Sequence, residues 1–114
     1  MEKLNKLLQE IYRKMDIHEE VNLKIVPMKQ KIASLSFRTK ILRLNSNLLN
    51  ILNKKEIEFI LIHELIHLKI KDINHGSLFI SELKNYTNLN NAKNIELKII
   101  EKLLSTQNTL LNKS

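Results

Sequence analysis

The sequence predicts an α+β fold: an amphipathic N-terminal helix, a short antiparallel sheet of about three strands, one strongly apolar helix, and two C-terminal helices. Three observations lead there. Apolar residues recur at helical spacing near the start of the chain, alternate with polar ones between residues 21 and 45, and return to helical spacing beyond residue 46. A length of 114 residues suits one domain spanning 1–114. No repeat, and no linker long enough to separate two units, interrupts it.

Leu4, Leu7, Leu8, Ile11 and Met15 place a helix over residues 2 to about 16. Val21, Leu23 and Ile25 alternate with Asn22 and Lys24, which is strand periodicity, and Pro27 ends that run in a turn through Gln30. Ala33, Leu35 and Phe37 alternate with Ser34 and Ser36 as a second strand. Leu42 and Leu44 alternate with Arg43 and Asn45 as a third, with Arg38 and Thr39 as the tight connection. Ser46 is expected to cap a short turn through Leu52. Asn53 followed by Glu56 has the spacing of a capping box, so the main helix is expected from Lys54 to about Lys71. Asp72, Asn74 and Gly76 break it. A further helix is predicted over 77–86 and a last one over 92–111, separated by the polar Asn88, Asn90 and Asn91.

With 43% apolar and 27% charged residues, the composition is that of a globular protein, and at 4% aromatics the core must be built from Leu and Ile. The absence of cysteine excludes disulfides, thiolate metal sites and cysteine nucleophiles, and fits a cytoplasmic location. No signal peptide and no apolar run near the ~20 residues of a membrane span is expected. The formal net charge of +7 would suit nucleic acid, but the basic residues are nearly all Lys and lack interleaved aromatics. That argues against a nucleic-acid partner.

Residues 63–67 read His-Glu-Leu-Ile-His within the apolar helix. Positions i and i+4 share a helix face, so His63 and His67 converge on one ion, and Zn2+ suits two neutral imidazoles. Glu64, one residue along, is placed to act as general base on the attacking water. Ile62, Leu65, Ile66 and Leu68 mark the helix as buried. Two histidines and a carboxylate buried there without partners would be costly, so a metal centre is the better account.

A third ligand is required. His75 follows seven residues after His67, and Gly76 beside it would permit a sharp reversal back towards the ion. Glu82 and Glu96 are rivals. Asp72 is expected to cap the helix end or to orient a ligand imidazole. His18 reads as a surface residue, and Tyr12 and Tyr86 read as core tyrosines before donors to a reaction intermediate.

Ile62 to Leu68, then Asn74-His75-Gly76-Ser77 and Phe79, resemble the minimal soluble zincin metallopeptidases of the selecase kind, over Ser34 to Phe79. Ser34 to His67 is also similar to the strand-then-metal-helix layout of YgjP-like and SprT-like hydrolases. The resemblance implies a zincin-like core and peptide-bond hydrolysis. It also implies zinc on His63 and His67 with Glu64 as base, and suggests His75 as third ligand. The expected substrate is an extended or unfolded polypeptide, with residues 41–45 as a sheet edge beside the cleft on which it could pair. The alternatives are a metal-dependent nuclease on the same histidines and a non-catalytic helical module. The apolar face of the last helix (Ile95, Leu97, Ile99, Ile100, Leu103, Leu104, Leu110, Leu111) leads to an expectation of self-association.

Overall fold

The computed structural model describes the backbone of residues 2–112 and side chains as far as Gln107. In chain order the elements are α1 (Glu2–Met15), β1 (Asn22–Val26), β2 (Ala33–Leu35), β3 (Ile41–Asn45), α2 (Ser46–Leu49), α3 (Lys54–Ile70), α4 (Ser77–Leu83) and α5 (Leu89–Asn112). The α+β class is as the periodicity predicts. Among the described residues no helix is long and apolar enough to cross a membrane.

The sheet is mixed, which corrects the antiparallel expectation. Its order is β1-β3-β2, with β1 parallel to β3 and β2 antiparallel to it. The six residues from Pro27 to Ile32 form no tight hairpin and carry the chain across, so that β2 lands on the far side of β3. Leu42 and Leu44 are 0% and 2% exposed, and they make β3 the central strand. The edge expected at 41–45 is therefore at β2. Asn45 fixes this arrangement. It is buried, and its Oδ1 accepts from the N–H groups of Met28 and Asn47 while its Nδ2 donates to the Lys31 carbonyl. It also caps α2, the role expected of Ser46.

Helix α3 runs through the middle of the molecule. Asn53 and Glu56 close the predicted capping box at 2.9 Å in both directions. Leu61, Leu65, Ile66 and Leu68 are all at most 1% exposed, each contributing roughly 2 kcal/mol by burial. Glu56 is buried as well and accepts from Lys102 Nζ of α5 at 2.6 Å, which ties the two helices. Helix α4 ends at Leu83, earlier than expected. Helix α5 starts earlier than expected, because Asn88 Oδ1 accepts from the N–H groups of Asn90 and Asn91 and so caps the first turn.

The face of α5 divides. Ala92, Ile99 and Leu103 are buried in the core, while Leu97, Ile100 and Leu104 are 51%, 37% and 52% exposed. The side chains of Leu110 and Leu111 lie outside the described residues.

Candidate metal centre

Within α3 the spacing of four residues carries His63 and His67 to one face a turn apart, with ring centroids 5.1 Å from each other. The helix ends at Lys71, which takes the left-handed conformation (φ 56°, ψ 39°). The N–H groups of Lys71 and Asp72 both donate to the His67 carbonyl, and the reversed chain brings the Asp72 carbonyl to 2.8 Å from His67 Nδ1. A carbonyl can only accept, so Nδ1 carries the proton and His67 Nε2 keeps a free lone pair. The same reversal returns His75 to the helix face. Its Nε2 lies 3.1 Å from His67 Nε2 and 3.0 Å from His63 Nε2.

Three imidazole nitrogens thus point at one spot. His75 Nε2, if protonated, could donate to one of its two neighbours but not to both, so hydrogen bonding alone does not satisfy the cluster. A cation does. Tetrahedral ligation at about 2.0–2.1 Å separates ligand nitrogens by about 3.3–3.4 Å, within a few tenths of an ångström of the two spacings from His75 Nε2. Burial pushes the His63 pKa down to about 4, helped by the neighbouring His67 and His75. Burial also lowers that of His67, against a partial offset from the Asp72 carbonyl. Both rings are therefore neutral at pH 7, as metal ligation needs.

Glu64 has no hydrogen-bond or ion-pair partner among the described residues, and burial alone pushes its carboxyl up to about 7. A cation beside it would draw that value down. With His63 and His75 it lines a cleft of about 400 Å³ whose other walls include Ile32 and Ala33 at the sheet edge and Glu96 and Ile99 on α5. A second hollow of about 320 Å³ also borders His63 and His75 and is lined by Phe79, Ile80, Leu83, Leu89 and Ala92.

Residues 1–99 match the family described as YgjP-like, metallopeptidase domain. The chain belongs to that family. This YgjP-like chain is 50% identical over 98 residues to an uncharacterized protein of Methanocaldococcus jannaschii, covering 86% of this chain and 89% of the relative. It is similar to the crystal structure of the metallopeptidase zymogen of Methanocaldococcus jannaschii jannalysin (TM-score 0.81, 49% identity, 88% of this chain and 96% of the other). It is likewise similar to that of the metallopeptidase zymogen of Pyrococcus abyssi abylysin (TM-score 0.82, 35% identity, 89% and 95%). The protein is a metallopeptidase, and its three-histidine group fits a metal ion.

The histidines that the YgjP-like sequence singled out are those the fold gathers: His63, His67 and His75 lie with their ligand atoms all within 4.8 Å. The rivals are not part of that group. Glu82 Oε1 is engaged by Lys69 Nζ and the Tyr86 hydroxyl, each at 2.6 Å. Glu96 is exposed on α5 and borders the cleft without joining the histidine group. His18 is exposed beside Asp16, and the Tyr12 hydroxyl accepts from the Val21 N–H inside the core. Asp72 orients the His67 imidazole through its carbonyl, while its carboxylate accepts from the Asn74 N–H. Gly76 does not make the reversal. Its φ of −83° is open to other residues, no described atom beyond its chain neighbours lies within 4 Å of where a Cβ would sit, and the turn is made at Lys71. Two features escaped the sequence: the left-handed Lys71, for which a lysine gives no signal, and the ring of Phe79 against the histidines.

Proposed function

We propose that this metallopeptidase is a zinc-dependent endopeptidase of extended or unfolded polypeptides. In this proposal residues 1–114 act as a single zincin-like domain with His63, His67 and His75 as ligands and Glu64 as general base. The observation that carries it is the convergence of three Nε2 atoms at one spot beside a partnerless, half-buried carboxylate. An all-imidazole donor set without thiolate favours zinc, and the lack of cysteine favours a cytoplasmic setting. When bound, the ion supplies Lewis acidity, activating water at neutral pH and polarising the scissile carbonyl.

The protein's own groups account for the rest. Glu64 takes a proton from the attacking water and delivers it to the departing amine. Substrate is held at β2. The Asn45 N–H donates to the Ile32 carbonyl and the Ser36 N–H to that of Ile41, so the pairs 32/45, 34/43 and 36/41 are hydrogen bonded. By that alternation the backbone groups of Ala33 and Leu35 face away from β3. They offer an extended peptide main-chain hydrogen bonds without sequence preference, along the wall of the cleft that holds Glu64.

The outward Leu97, Ile100 and Leu104 of α5 support self-association through this helix. Metal analysis with casein digestion of wild type, Glu64→Ala and His75→Ala tests the proposal. Glu64→Ala should retain zinc and lose activity, and His75→Ala should lose both. Casein cleavage that persists in Glu64→Ala would refute the role of that carboxylate.

A further inference from the structure

Metal-binding histidines usually donate their second N–H to a fixed acceptor, which locks ring orientation. Among the described residues only His67 does so, through the Asp72 carbonyl. His63 and His75 contact hydrogen-bond partners only through Nε2, the atom facing the common centre. Among the described residues nothing polar holds their Nδ1 sides. His75 moreover sits on an exposed loop.

Among the described residues the ring of Phe79 lies against all three. The ring centroid of Phe79 lies 4.9 Å from that of His63, 4.8 Å from His67 and 4.8 Å from His75. It is 3% exposed, and it meets His63 and His75 edge-on at 61° and 69° and His67 tilted at 32°. Rings at such distances and angles attract beyond their buried area. Phe79 stands on the inner side of α4, and α4 is itself pinned one turn further on by Glu82. That carboxylate is held by Lys69 of α3, which also donates to the Met15 carbonyl at the end of α1. A rigid ring is therefore pressed against the triad by a helix tied to two others.

We infer that Phe79 is a positioning residue for the metal centre: its ring is the floor that sets the orientation of His63 and His75 in place of the missing Nδ1 hydrogen bonds. The inference rests on the ligand set proposed above.

The test uses the full chain with Co2+ and Zn2+ as probes. Metal affinity is measured by chelator competition, and geometry by the visible spectrum of the Co2+ form, for wild type, Phe79→Leu, Phe79→Met, Leu83→Ala and His63→Ala. Leu83 is equally buried on α4 but makes no ring contact with the histidines, so its variant reports loss of core packing alone. Phe79→Leu and Phe79→Met should fold, bind metal about 10–100-fold more weakly, and show an altered Co2+ spectrum. Leu83→Ala should lower the melting temperature while leaving affinity and spectrum near wild type. Phe79 variants with wild-type affinity and spectrum overturn the inference. So does failure of both to fold, which would make the ring part of the core instead. Unchanged metal binding in His63→Ala would instead sink the ligand set, a separate result.

Discussion

Replacing Glu64 by Gln in the metal-free protein should change how stability depends on pH, by an amount the site itself sets. Burial raises the Glu64 carboxyl from 4.5 to about 7 in the folded state. Between those values the folded chain binds a proton that the unfolded chain does not, so acidification stabilises the fold through this group. The stabilisation is complete below the unfolded value and is lost as pH rises through about 7. From pH 7 to pH 5 it amounts to about 2 kcal/mol. His63 works the other way. Its folded value of about 4 lies below the ordinary 6.5, so it costs stability as pH falls through that window. The two largely cancel in the wild type. In Glu64→Gln only the loss remains. Urea unfolding of the metal-free proteins at both pH values should therefore show the variant losing about 2 kcal/mol more than wild type, a midpoint shift of roughly 1 M. Parallel pH dependences would show that Glu64 is not desolvated as the cleft implies. Every other titrating group is common to both proteins and drops out of the difference.

Further outcomes are expected elsewhere. Lys102→Met leaves Glu56, 2% exposed, without its 2.6 Å ion-pair partner. It should cost about 2–3 kcal/mol in urea unfolding, with part recovered by Glu56→Gln in the same chain; a loss below about 0.5 kcal/mol would mean Glu56 finds other partners. Gly76→Ser should stay within about 1 kcal/mol of wild type and keep its metal affinity, because that backbone makes no use of glycine. A large loss would return the reversal to Gly76. Ala33→Pro removes an outward N–H from the free edge and should raise KM for casein several-fold with zinc content unchanged, whereas Ser34→Pro breaks the pairing with β3 and should lower the melting temperature. Equal effects of the two on KM and stability would count against substrate pairing at β2.

The metal helix was legible because each of its signals is local. Asn53 and Glu56 close a capping box within one turn, and the apolar run around residues 60–68 leaves His63 and His67 on a common face. His75 was reachable from ligand count, but the device that returns it was not. A left-handed lysine has no sequence signature, so the reversal was read at Gly76, the residue with the greatest freedom. The order of the sheet was hidden for a different reason. Alternation tells which faces of a strand are buried and not which strand lies beside which, and β1 pairs with a strand that follows it by two elements. Asn45 and Phe79 are likewise long-range features, defined by neighbours such as Met28 and Lys31 for the first and by the three histidines for the second. Sequence spacing carries no trace of them.

X-ray absorption spectroscopy of the Zn2+-loaded full chain bears most directly on the ligand set. Three imidazole nitrogens at about 2.0–2.1 Å in the wild-type protein is the expected result. A spectrum fitted by two or fewer imidazoles in the wild-type protein would contradict it.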